Sequence, residues 1–94
     1  MWYVYFLKSS RIGNWIYVGS TDSVKRRLTQ HNDGLVFSTK PYRPVYLDAY
    51  VAVRTEKKAR ELEKYFKVGS GKAIAKKRLL SSKPMSVPTD EALA

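Results

Sequence analysis

The chain contains no cysteine, which removes disulfide staples and thiolate metal sites together. Its single histidine, His31, leaves little for a zinc cluster. No apolar run is long enough to span a bilayer, and the N-terminus lacks a basic segment followed by an apolar stretch and a small-residue cleavage site. The short apolar start therefore reads as a strand rather than a targeting signal, no membrane is expected as a partner, and the reducing cytoplasm is the expected location. Acidic residues are also scarce, with 8 Asp and Glu against 18 Lys and Arg and a formal net charge of +10. Such an excess on 94 residues, enough for one small domain, points to a polyanion, with nucleic acid the leading class.

What the chain has in quantity is aromatic residues near its start. Trp2 to Leu7 and Trp15 to Gly19 are runs of aromatic and β-branched residues, separated by a polar stretch that holds Gly13 and Asn14. The pattern predicts a β-hairpin. A register symmetric about Arg11 would set Tyr5 directly across from Tyr17, with both rings on one face because side chains alternate along a strand. By itself that pair is an ordinary sheet stabiliser.

Ser23 to Gly34 reads as a helix whose inner stripe carries Val24 and Leu28 and which closes at Gly34. Arg27 and His31, four apart, share a face beside that stripe, whereas Lys25 and Arg26 point towards solvent. A second helix opens at Thr55, a good N-cap, with Glu56 in the first turn and Ala59, Leu62 and Phe66 as its core stripe. Glu63 falls in or beside that stripe. A carboxylate there is costly to bury unless it is paired or bound to a cation, and Lys67, one turn later, offers a purely structural partner.

Val45 to Val53 predicts a third strand, with Val45, Leu47, Ala49, Val51 and Val53 on one face and Tyr46, Asp48 and Tyr50 on the other. Leu35 to Pro44 reads as a loop. A last helix is expected over about 71–80, capped by Ser70; Gly69-Ser70-Gly71-Lys72 lacks the spacing of a phosphate-cradling loop and suits a helix entry better. The domain spans 1–82 in this reading, and 83–94, with Pro84 and Pro88 and no periodicity, is expected to be a flexible tail. Lysines and arginines concentrate in the second half, and Lys25, Lys64, Lys67 and Lys72 are candidates for phosphate contacts.

Tyr3-Val4-Tyr5, Tyr17-Val18-Gly19, Arg27 with His31, and Glu63 followed by Lys67, taken in order, resemble the GIY-YIG nuclease superfamily, specifically its small single-domain bacterial members. Thr39, Arg43-Pro44 and the Gly69 to Lys72 segment are similar to the same pattern. The resemblance covers roughly 2–80. The first triplet departs from the pattern in having Tyr3 for the first glycine, and Val stands for Ile in both triplets; these are not the positions that carry chemistry.

The resemblance implies an α/β fold, a small three-stranded antiparallel sheet flanked by helices, with Tyr5, Tyr17, Arg27, His31 and Glu63 gathered on one face. It also implies an endonuclease that hydrolyses phosphodiesters, DNA favoured over RNA, with one Mg²⁺ or Mn²⁺ held by Glu63 and a tyrosine as general base. A phenol with a reference pKa of about 10 is ionised to roughly one part in a thousand at neutral pH, so positive charge from Arg27, and from Lys25 nearby, is called for. Tyr17 is favoured as the base, Tyr5 as an orienting group, and His31 as a relay or a support for Tyr5. Two rivals stand beside this reading. One is an Asp48 and Glu56-x-Lys58 metal site, although Glu56 is already explained as a helix opener; the other is a DNA- or RNA-binding module that keeps the fold without turnover.

Overall fold

A computed structural model describes residues 1–80, and the tail expected over 83–94 lies outside the described residues. The elements are β1 (Trp2–Ser9), β2 (Ile16–Thr21), α1 (Val24–Asn32), β3 (Val45–Val53), α2 (Glu56–Phe66) and α3 (Gly69–Arg78), with a 3₁₀ turn at Lys40–Tyr42 inside the expected loop. The strands form one antiparallel sheet in the order β2-β1-β3. This is the α/β architecture anticipated from the sequence. Among the described residues no helix is long and apolar enough to cross a membrane.

Local chemistry sets the element ends. The Ser23 hydroxyl accepts from the Arg26 N–H and starts α1, while Gly34, at φ +80°, takes a left-handed conformation just past its end. Thr55 caps α2 by accepting from the Lys58 N–H at 3.1 Å. The β1–β2 loop turns through Asn14 at φ 63°. It is pinned to the segment before β3 by Ser9 Oγ donating to the Tyr42 carbonyl at 2.7 Å and by the Arg11 guanidinium donating to the carbonyls of Arg43 and Pro41.

The sheet separates two apolar layers. On one face Val4, Phe6 and Val18 pack with Ala59 and Phe66 of α2 and Ala75 of α3; on the other, Tyr5 and Leu7 pack with Val24 of α1 and with Val45 and Leu47. Both stripes expected of the first two helices therefore do bury.

Three expectations are corrected. The hairpin pairs Tyr5 with Gly19 and Leu7 with Tyr17, so its register is centred on Ile12 rather than Arg11. Because the strand period is two, this slip by two residues on β2 leaves both phenols on one face as diagonal neighbours. Second, β3 does not keep one alternation throughout. Its pairing with β1 slips between Phe6 and Leu7, whose partners are Ala49 and Leu47, so Asp48 is the extra residue of a bulge. Val45 and Leu47 consequently join the α1 layer while Ala49 and Val53 join the α2–α3 layer, and Tyr46 is buried. Third, α3 begins at Gly69 with Val68 as its N-cap, and Ser70 is not the cap. Gly71 has a packing role: a Cβ there would lie 2.1 Å from the Tyr65 carbonyl oxygen, so only glycine lets α3 turn this closely against the end of α2.

Candidate active site

The α1 face of the sheet brings Tyr5 and Tyr17 together with a ring-centroid separation of 6.2 Å. His31, from the last turn of α1, meets both edge-on, at 5.7 Å from Tyr5 and 5.0 Å from Tyr17. Tyr17 also stacks with Trp15 at 6.3 Å, and Trp15 in turn stacks on Tyr42 at 4.5 Å. The two phenols are not equivalent. Tyr5 is only 2% exposed, whereas Tyr17 is half-buried.

A line of hydrogen bonds runs through the buried part of this cluster. The Tyr5 hydroxyl lies 2.9 Å from His31 Nε2, and His31 Nδ1 lies 2.7 Å from Thr39 Oγ1. His31 and Thr39 are both fully buried. Arg27 stands beside the Tyr5 phenol and donates to Gln30 Oε1 at 3.0 Å. Burial pushes the Tyr5 phenol well above its ordinary value, and the neighbouring Tyr17 and the charge of Glu63 push the same way; the hydrogen bond and positive charge of Arg27 oppose them without prevailing. Burial first, and the Arg27 charge second, lower His31 to about 4. The imidazole is therefore neutral at physiological pH.

Gly19 makes room for Tyr5. A Cβ on Gly19 would fall 2.5 Å from the Tyr5 hydroxyl oxygen and 2.6 Å from the ring carbon that bears it. A glycine inside a strand is the sequence signal of such a close approach, and it identifies Gly19 as part of the site beyond its place in a motif.

Glu63 reaches the site from the other layer. Its carboxylate accepts from Ser20 Oγ at 2.6 Å through Oε1 and from Lys67 Nζ at 2.7 Å through Oε2. Ser20 pairs with Val4, whose side chain belongs to the α2–α3 layer, so one face does not collect all five candidates. Four lie on the α1 face. Glu63 stands on α2 across the edge strand β2, near enough for its charge to act on Tyr5. The reason is topological: α2 packs on the opposite side of the sheet, and β2, an edge strand that α2 packs against, is a place where the two layers can meet. Partial burial would raise the Glu63 pKa, but hydrogen bonds from Lys67 and Ser20 and the charges of Lys67 and Arg60 outweigh it and hold the carboxyl below its ordinary range. It is ionised at neutral pH.

The candidate phosphate contacts do not form one patch. Lys67 and Lys72, with Lys76, border a cleft of about 320 Å³ between β2 and α3, floored by Phe6, Val18 and Phe66. Lys64 lies with Lys57 and Arg60 on the outer side of α2, and Lys25 is exposed on α1 in the other layer. The rival metal site loses its motive. Glu56 pairs with Arg60 at 2.7 Å, Asp48 is buried in the β3 bulge with Lys8 at 3.8 Å, and among the described residues no three His, Asp or Glu side chains cluster as metal ligands.

Sequence reasoning overlooked two supports: Ser20, which anchors Glu63, and the Trp15–Tyr42 stack, which braces Tyr17. Neither has a local signal, because each depends on chain segments far apart in sequence. Thr39 was visible only as part of a resemblance. Among family descriptions, that of the GIY-YIG catalytic domain matches residues 1–78. No curated protein shows a significant match to the chain.

Proposed function

Because the chain belongs to the GIY-YIG family of nuclease-type catalytic domains, we propose that it is a divalent-metal-dependent endonuclease acting on nucleic acid, DNA in preference to RNA. The observation that carries this reading is the ionised Glu63 set across the edge strand from a Tyr5–His31–Arg27 cluster, in a chain of net charge +10. A cysteine-free chain of this type suits the cytoplasm.

The residues present fit a hard divalent ion. Glu63 is ionised, its side chain is 23% exposed, and Oε2 already accepts a cation in the form of the exposed Lys67 ammonium. Glu63 would hold Mg²⁺ or Mn²⁺, with water filling the other positions. When bound, such an ion supplies charge neutralisation at the scissile phosphate and at the departing oxygen. Arg27 binds the phosphate and stabilises the negative charge that develops in the transition state. Tyr17, the more exposed phenol, takes the proton from the attacking water as the phenolate, having first released its own proton to solvent beside the positive charge of Arg27. Tyr5 keeps its own proton, donated towards His31, and orients water and phosphate through its oxygen; His31 holds Tyr5 in place. Lys67 and Lys72 guide the backbone along the cleft beside Glu63.

The test is a cleavage screen over single-stranded, duplex and branched DNA and over RNA, with Mg²⁺ or Mn²⁺, comparing the natural chain with Glu63→Gln. Cleavage that depends on the ion and vanishes in the variant, with binding retained, is the expected result. Unchanged cleavage by Glu63→Gln removes this residue as metal ligand. Salt-sensitive binding with no cleavage of any substrate would instead make the protein a nucleic-acid-binding module on a nuclease fold.

A further inference from the structure

His31 sits between two hydroxyls, Tyr5 on Nε2 and Thr39 on Nδ1, and a hydroxyl can donate or accept. The ring's tautomer is thus decided by what lies one bond further out. Arg27, a donor only, stands beside the Tyr5 phenol, a placement that favours the phenolic proton going to His31 Nε2. At the far end the Thr39 hydroxyl reaches the Val36 carbonyl at 3.3 Å, which commits its proton away from the ring and presents its oxygen to Nδ1–H. The Thr39 end sets the direction, and the positive charge of Arg27 beside Tyr5 agrees with it. The opposite direction would withdraw the Thr39 proton from Val36 and turn it onto the ring.

We infer that Thr39 is a positioning residue that fixes His31 as the Nδ1–H tautomer and so keeps the Tyr5 hydroxyl donating into the ring. The Thr39 backbone is itself fixed, because its N–H bonds the Val36 carbonyl and its carbonyl accepts from the Tyr42 N–H. The segment that ends in the 3₁₀ turn therefore delivers a rigid acceptor to a buried ring. The tautomer stands independently of any activity; only its effect on rate rests on the nuclease reading.

Since His31 is the only histidine, ¹⁵N-histidine labelling of the full chain gives one imidazole spectrum without assignment work. At neutral pH the natural protein should show a protonated Nδ1 and an unprotonated Nε2. Thr39→Val keeps the shape but replaces the acceptor with a methyl group, and should lose that preference; Thr39→Ser should retain it. In single-turnover cleavage of labelled branched DNA with Mn²⁺, Thr39→Val should fall about tenfold, the scale of one hydrogen bond, and Thr39→Ser should recover the rate. An Nε2–H tautomer in the natural protein, or an unchanged spectrum in Thr39→Val, overturns the inference. If Thr39→Val does not fold, the natural protein and Thr39→Ser still decide it. Spectra as expected with no cleavage by any form would defeat the nuclease reading and leave the tautomer assignment standing.

Discussion

Gly19→Ala should be strongly destabilising, against the usual direction for this exchange. Replacing glycine with alanine at a position with room and an ordinary backbone commonly stabilises by about 0.4–1 kcal/mol, because the unfolded chain loses freedom. At Gly19 the new methyl would meet three atoms of Tyr5 at 2.5, 2.6 and 2.9 Å, so the ring must retreat by roughly 1 Å to reach an ordinary contact. It has nowhere to go: Tyr5 is 2% exposed and is bounded by His31 and Tyr17. Overpacking of this kind costs about 1–3 kcal/mol, and displacing the hydroxyl from His31 Nε2 adds about 1 kcal/mol, for a total of about 2–4 kcal/mol. Urea denaturation monitored by tryptophan fluorescence measures the difference directly. A variant within about 0.5 kcal/mol of the natural chain, or more stable than it, would show that Tyr5 does not pack over Gly19 and would refute the reasoning. Under conditions where Gly19→Ala is still folded, cleavage should fall far more than the folded fraction, since the displaced ring is part of the site.

Tyr17→Phe should lower the single-turnover cleavage rate by about 10²–10⁴-fold with little change in stability, whereas Tyr5→Phe should lower the rate and also cost about 1–3 kcal/mol, because it leaves a buried imidazole nitrogen without its partner. If both hydroxyls serve one water and one phosphate, the double variant loses less than the product of the single losses; near-natural rates in both single variants would return the pair to a structural role. Stability should also fall on acidification. His31 is lowered from 6.5 to about 4 in the folded chain, so the unfolded chain binds the proton first, and the contribution is complete above about pH 6.5 and lost as pH falls towards 4. From about pH 7 to about pH 5 the loss is about 2 kcal/mol, and a denaturation series that is flat over that interval, or no flatter in His31→Asn, would contradict a neutral buried His31.

How much of this was legible beforehand follows from the range of each interaction. Strands, helices and caps could be read because they depend on near neighbours: alternation in Trp2 to Leu7, the Val24 and Leu28 stripe, and Thr55 accepting from a backbone N–H three residues on. The pairing of Arg27 with His31 on one helical face is of the same kind, as is the oddity of a carboxylate at position 63. Even the common face of Tyr5 and Tyr17 survived an error in register, since parity alone sets the face and the slip was by two residues. The bulge at Asp48 was not legible. Its alternating apolar residues suit an unbroken strand equally well, and only pairing with β1 shows where the ladder slips.

The sequence by itself determined which residue types stood ready for chemistry, the local elements that carry them and the polyanionic character of the partner. Tertiary structure decided what those residues became: Glu63 arriving across the edge strand on Ser20 instead of sharing the tyrosines' face, Tyr5 folded over a glycine and kept protonated, and His31 neutral between Tyr5 and Thr39. The physical reason is that burial, hydrogen-bond direction and charge proximity are properties of groups brought together from distant parts of the chain. No periodicity within one segment encodes them.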